Sequence, residues 1–248
     1  MRSKTTIMAI VLGITILCLG VLAALIGAMG PWLGVATGGG IAAVVLIVYR
    51  FTVQPWQHRW GASDQEVRRS MPGDEILPQP KSTTRAITID AAPERVWPWL
   101  VQIGYGRAGW YSYDWIDNDG RPSADRIVPK YQNLEVGDQI VMVPGMGPRV
   151  RAIEPNRYIL GGDKEAGTWC LAVYRTPEGA TRLVSRWRQD WPITPASAFW
   201  ILISDPGAFI MERRMLRGIK QRAERAAAGQ RSLDSPPVAL TGVEEGPE

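Results

Sequence analysis

The chain has 248 residues, of which 46% are hydrophobic and 21% charged, and its formal net charge at pH 7 is +4. That charge is too weak and too scattered for a nucleic-acid-binding protein, but it is compatible with an anionic membrane surface or an acidic ligand. Two cysteines, Cys18 and Cys170, and a single histidine, His58, exclude a disulfide framework and a multi-histidine metal site.

The N-terminal region predicts two transmembrane helices. Residues 7–29 carry no charged side chain over a length that can cross a bilayer as a helix. Gly30 and Pro31 interrupt this run, and a second apolar run continues to Phe51. Gly34 and Gly38, four residues apart in the second run, would allow the two helices to pack closely in lipid. We therefore expect a membrane hairpin over residues 1–52.

The flanking charges predict how this hairpin is oriented. Arg2 and Lys4 precede the first span, Arg50 and Arg59 follow the second, and the loop between the spans has no basic residue. By the positive-inside rule, both termini and the globular part face the cytoplasm, so we expect a multi-pass protein of the cell membrane. The alternative is that the first run is a signal peptide, in which case the second span still leaves the domain in the cytoplasm.

The globular part begins after a proline-containing segment, 53–83, which we interpret as a juxtamembrane linker with a short helix near its start. From Arg85 the residues alternate as in a strand, and Pro93–Val101 follow at helical spacing with Pro98 inside. Later strands with short connections predict an antiparallel meander. These strands are predicted at 139–143, 149–154, 158–161, 168–175 and 180–190.

The last predicted element is an amphipathic helix of about 20 residues that places its apolar face on the sheet. Ser204-Asp205-Pro206 provides a cap followed by a proline, which predicts the start of the helix there. Met211 and Met215 fall on the apolar stripe, whereas Glu212 is assigned to the polar side. Residues 229–248 have the composition of a disordered tail. The predicted fold class is α+β, with a curved antiparallel sheet around a long terminal helix.

Residues 103–118 combine five aromatic rings with three glycines. Such a loop suits the wall or lid of a cavity for an apolar molecule, and it equally suits a loop that fills a small core with rings. On the later strands and the terminal helix, large apolar side chains are further candidates for lining a cavity. The predicted ligand-binding residues are Tyr105, Arg107, Trp110, Tyr111, Tyr113, Trp115, Trp169, Trp187, Met211 and Met215.

The segment Ala86-Ile-Thr-Ile-Asp-Ala-Ala-Pro-Glu-Arg-Val-Trp97 resembles the opening of the START-like superfamily (SRPBCC), which includes polyketide cyclases, lipid-transfer domains and pollen-allergen-like proteins. The resemblance covers residues 84–226, and segments such as 106–115 resemble a bacterial subgroup that has an N-terminal membrane anchor. It implies a helix-grip fold whose cavity binds a lipid or another hydrophobic small molecule.

Three functions stay open at this point. The first is a membrane-anchored module that binds a hydrophobic small molecule, which we prefer to an enzyme. The second is a cyclase- or dehydratase-like enzyme, which requires a carboxylate such as Asp114 to meet a tyrosine inside the cavity; Asp114 is equally suited to cap the short helix after it. The third is a non-catalytic membrane scaffold with a filled core. The sequence contains no motif for a cofactor or a metal, and it does not identify protein partners.

Overall fold

The computed structural model describes residues 2–78, 81–190 and 194–234. Two helices, α1 (Arg2–Met29) and α2 (Pro31–Val48), open the chain, and a π-helical turn at Tyr49–Val53 joins α2 to α3 (Gln54–His58). By length and composition, the continuous helix Pro31–His58 is long and apolar enough to cross a membrane.

The first two helices approach each other closely at Gly34, a residue of the predicted small-residue pair. A Cβ atom at Gly34 would lie 2.6 Å from the Ile26 Cα atom. One turn later, a Cβ atom at Gly38 would lie 3.0 Å from a methyl group of Leu22. The two helices are therefore packed against each other near the turn that connects them.

The globular part is built on a five-stranded antiparallel sheet in the order β1-β5-β4-β3-β2. The predicted meander is confirmed, and the first strand lies beside the last. The predicted strand 139–143 is wrong: Gln139 and Val143 each make only an isolated bridge, because the prolines and glycines of the loop after Val143 interrupt the ladder. The strands are β1 (Lys81–Ile89), β2 (Val150–Glu154), β3 (Tyr158–Asp163), β4 (Gly167–Arg175) and β5 (Thr181–Gln189).

Short helices lie before β1, between β1 and the aromatic segment, and inside the aromatic segment. In α4 (Asp64–Arg68), the Ser63 hydroxyl accepts from the Glu66 N–H while the Glu66 carboxylate accepts from the Ser63 N–H, a capping box that fixes where the helix begins. The helices predicted around residues 93–101 and 114–118 are confirmed as α5 (Pro93–Val101) and α6 (Asp114–Asp117).

The terminal helix α7 (Pro195–Asp234) has 40 residues, so it begins well before the predicted proline start. Pro206 lies inside the helix, and the Asp205 carboxylate contacts the Tyr49 hydroxyl (3.0 Å), Gln54 Nε2 (2.9 Å) and His58 Nε2 (2.8 Å). The prediction that Asp205 lies in the cap of this helix is wrong. Its carboxylate contacts side chains that are far away in the sequence, and a local sequence pattern does not reveal such contacts. In the predicted disordered tail, residues 229–234 are helical and 235–248 lie outside the described residues.

The outer face of the sheet is covered by the segment between α4 and β1, which we interpreted as a linker. Met71 packs there against Val184, and Arg186 pairs with Asp74 at 2.7 Å. Arg186 also donates to the carbonyls of Glu66, Val67 and Arg69. Arg186, on the outward face of β5, thus anchors this covering segment, with its side chain 2% exposed.

Candidate functional site

The inner face of the sheet carries a cluster of three indole rings. Trp169 on β4 and Trp187 on β5 are direct cross-strand partners, and their rings stack with centroids 5.0 Å apart and an 11° angle between planes. The ring of Trp110, from the glycine-rich loop, lies 5.9 Å from that of Trp169. Cross-strand aromatic pairs of this kind stabilise a sheet, and here they also fill the space beneath α7.

Closure of the glycine-rich loop brings Trp110 and Tyr111 into this core. Gly104 and Gly109 donate backbone hydrogen bonds to each other's carbonyls at 3.0 and 3.2 Å. A Cβ atom at Gly109 would lie 2.3 Å from Ser123 Oγ, so only glycine fits this approach. The buried Tyr111 hydroxyl accepts from Gln102 Nε2 at 2.9 Å, which holds its ring against Trp99.

A charged pair lies beside the indoles, in the next cross-strand row. Arg85 on β1 is the partner of Ser185 on β5, and Arg85 forms a buried ion pair with Glu212 of α7. The Ser185 hydroxyl donates to Glu212 and accepts from Trp169 Nε1 at 2.9 Å. The interior is thus apolar at its centre and has one fully partnered charge pair, an arrangement that can orient a polar group next to an apolar one.

This pair was not predicted from the sequence, in which the helical spacing places Glu212 on the polar side of the helix. The available signal was position: Arg85 alternates with Ile87 and Ile89, and Glu212 lies one turn before the buried Leu216. When each of two separate elements carries a charged residue on its apolar face, the two residues are candidates for an internal ion pair.

Among the buried polar groups that have no hydrogen-bond partner in the described part of the chain, two are relevant to ligand binding. One is the Trp110 indole N–H, and the other is the Asp117 carboxylate, on both of its oxygens. The nearby Ser112 hydroxyl donates instead to the Met211 carbonyl at 3.0 Å. Burial, with a smaller effect of the Asp114 charge, raises the pKa of Asp117 to about 7. Unpaired buried groups are costly, and they mark places where a ligand or a conformational change can supply a partner.

Of the ten predicted ligand-binding residues, half meet in this interior and half lie around it. The five in or against the core are Trp110, Tyr111, Trp169, Trp187 and Met215. Outside it, Tyr105 donates to Asp119 at 2.6 Å, Arg107 donates to the carbonyls of Val101 and Tyr131, and Trp115 is 53% exposed. The peripheral five are Tyr105, Arg107, Tyr113, Trp115 and Met211.

The hollow that the sequence predicted between the sheet and the helix is occupied by these rings. A concavity of about 390 Å³ is present elsewhere, on the surface at Gln65, Arg68 and Arg69. A ligand could enter this core by displacing side chains, and the glycines of the loop that carries Trp110 permit such a movement.

The acid–base arrangement required by an enzyme is not found in this core among the described residues. Asp114 accepts from the Ser123 N–H at 3.0 Å and from the Ser123 hydroxyl, so it ties the loop together rather than capping α6. Tyrosine–carboxylate contacts occur at Tyr105–Asp119 and Tyr49–Asp205, outside the core cluster.

Comparison with known proteins gives distant structural matches only. No family model matches the chain, and no curated protein matches it. Solved structures that align with it include SSP2350 from Staphylococcus saprophyticus (13% identity, 59% of this chain and 93% of that one, TM-score 0.37). A protein from Arthrobacter aurescens aligns at 14% identity over 73% and 99% of the two chains (TM-score 0.36). The Polyketide_cyc-like protein Cgl2372 from Corynebacterium glutamicum aligns at 22% identity over 63% and 93% (TM-score 0.26).

TM-scores this far below 0.5 carry no argument about family or function. The fold assignment therefore rests on the molecule itself: an α+β domain in which a long terminal helix lies on one face of a five-stranded antiparallel sheet.

Proposed function

We propose that this protein is a membrane-anchored domain that binds a lipid tail or another hydrophobic small molecule between its sheet and its terminal helix. The observation that carries the proposal is the buried indole N–H of Trp110, which has no acceptor among the described residues. A ligand with an apolar body and one acceptor oxygen would accept a hydrogen bond from this N–H. Its apolar body would pack against the rings of Trp169 and Trp187.

The anchor in this proposal is the hairpin of α1 and α2. Its support is the length and apolar character of the helix Pro31–His58 and the close packing at Gly34. In the proposed arrangement both helices span the membrane and the domain lies on the cytoplasmic side, because the basic residues flank the outer ends of the pair.

The test is native mass spectrometry of the full chain released from lipid nanodiscs, to detect a retained small molecule. Trp110→Phe keeps an aromatic side chain of smaller size and removes the N–H, so it should reduce the retained fraction. Trp115→Phe removes an exposed indole N–H and serves as the matched control. A full chain that carries no small molecule in any preparation, or equal retention in both variants, would contradict the proposal.

A scaffold function is the second candidate, and the filled interior favours it. The rings of Trp110, Trp169 and Trp187 occupy the space where a ligand would lie, and an already packed core has no need of one. If the interior never accepts a molecule, the domain acts through its surface, and the native mass spectrum separates the two functions directly.

A further inference from the structure

Two arginines of α7 lie on the ring of Trp60, which follows directly after the apolar helix. The Cζ atoms of Arg213 and Arg217 are 5.2 and 5.6 Å from the centroid of that ring. The two residues are four apart, so they share one face of the helix. Arg217 is exposed and Arg213 is half-buried, and both contacts direct their guanidinium groups to the same aromatic surface.

These arginines have no acidic partner among the described residues. Two other arginines of this region do have one: Arg59 pairs with Asp64, and Arg85 pairs with Glu212. In addition, the Nε atom of Arg213 is buried without an acceptor. Two cationic groups that are oriented by a ring but not neutralised leave a local positive charge that is available to an anion.

The length of the apolar helix places this pair at the membrane surface. The helix Pro31–His58 has 28 residues. At about 1.5 Å per residue it is about 42 Å long, whereas the hydrocarbon core of a bilayer is about 30 Å thick. The last turns, including α3, therefore extend about 12 Å into the headgroup layer, and Trp60 lies two residues beyond His58. Tryptophan is enriched at this depth, where phosphate groups are concentrated.

We propose that Arg213 and Arg217, oriented by Trp60, form a binding site for the phosphate of an anionic phospholipid headgroup. This inference rests on the proposed membrane anchoring, but not on a ligand in the interior. The guanidinium group matches phosphate oxygens with paired donors, and the indole ring suits the boundary between the acyl chains and the headgroups. Such a site fixes the domain against the membrane surface through α7, in addition to the covalent link through α3.

The test uses the full chain in nanodiscs of phosphatidylcholine mixed with phosphatidylglycerol, with the retained lipids measured by native mass spectrometry. Two arginines near an anionic surface should enrich phosphatidylglycerol among the retained lipids roughly ten-fold over its share of the disc. R213Q/R217Q should bring this ratio close to one. R213K/R217K, which keeps the charge but not the paired donors, should retain part of the enrichment, and far-ultraviolet circular dichroism verifies that each variant is folded.

The charge-matched control is R151Q/R225Q, which removes two exposed arginines, one on β2 and one farther along α7. This control should keep the enrichment. Equal enrichment in R213Q/R217Q and in the native chain would overturn the site. Complete displacement of the lipid by inorganic phosphate would also overturn it, because it would indicate a site for free phosphate. A chain that does not enter nanodiscs would instead refute the anchoring itself, whereas a chain that enters without enrichment refutes only the headgroup site.

Discussion

Arg85 of β1 and Glu212 of α7 form an ion pair inside the domain, with side chains only 2% and 9% exposed. Ser185 donates to the carboxylate, and Arg85 Nε donates to the Gln57 carbonyl of α3 at 2.9 Å. Burial of two charges is costly, and only close pairing and additional hydrogen bonds offset that cost. The pair therefore determines how the terminal helix docks on the sheet and against the end of the apolar helix.

Removal of one partner of this pair should strongly destabilise the domain. Arg85→Met leaves the Glu212 charge buried without a counter-ion, and we expect the free energy of unfolding to fall by about 3–5 kcal/mol. Chemical unfolding of the full chain in detergent micelles, followed by tryptophan fluorescence, measures this change. The double variant R85M/E212L removes both charges and should regain most of the lost stability. If the double variant were no more stable than Arg85→Met, the unpaired charge of Glu212 would not be the cause of the lost stability.

The stability of the domain should depend on pH through Asp117. Its pKa rises from 3.8 to about 7 on burial, so the folded state keeps a proton that the unfolded state releases. The contribution of Asp117 to the free energy of unfolding is therefore expected to fall as the pH rises from about 4 to about 7, and to stay low above that. Asp117→Asn should remove this dependence and stabilise the protein at about pH 8 by about 2–4 kcal/mol.

Thermal unfolding across this pH range tests the expectation. Asp125→Asn, at an exposed site in the same region, provides the comparison and should leave the pH profile unchanged. The decisive quantity is the stability of the native chain relative to Asp117→Asn. If this difference rises between about pH 4 and 7, its sign is opposite to the one that burial of Asp117 predicts, and the carboxylate is ionised and stabilised in the folded state.

The sheet and the terminal helix were accessible from the sequence because their signals are local. The alternation from Arg85, the short connections between the later strands and the helical spacing of the confirmed helix Pro93–Val101 all depend on neighbouring residues. The start of α7 was not accessible, because the Asp205 carboxylate accepts hydrogen bonds from Tyr49 and Gln54 of the apolar helix instead of from its own backbone. The positions of Arg85 and Glu212 on apolar faces indicate buried charges, but the two residues are 127 apart in the sequence, and local patterns do not show that they meet.

The helical hairpin should depend on the absence of a side chain at Gly34. A Cβ atom there would lie 2.6 Å from the Ile26 Cα atom, which is backbone and cannot move aside. Gly34→Val should therefore separate α1 from α2 and increase amide hydrogen exchange in α1 of the chain in nanodiscs. At Gly39, a Cβ atom would meet nothing within 4 Å, so Gly39→Val is the matched control. Equal exchange in the two variants would refute close packing at Gly34.

The aromatic loop should be displaced by a single methyl group on α7. A Cβ atom at Gly218 would lie 2.2 Å from the Tyr111 carbonyl oxygen, so Gly218→Ala must push the loop away from the helix. Because the loop carries Trp110 against Trp169, near-ultraviolet circular dichroism of the indole rings should weaken, and we expect a loss of about 1–3 kcal/mol in the free energy of unfolding.

Gly207→Ala is the control for this effect, since it adds the same methyl group to the same helix where nothing lies within 4 Å. Replacing glycine with alanine inside a helix favours the helix by about 1 kcal/mol, so this control should be as stable as the native chain or slightly more stable. If Gly218→Ala were as stable as Gly207→Ala and its indole signals were unchanged, close packing of Tyr111 against α7 at Gly218 would be refuted. The aromatic loop could then leave the interior without a ligand.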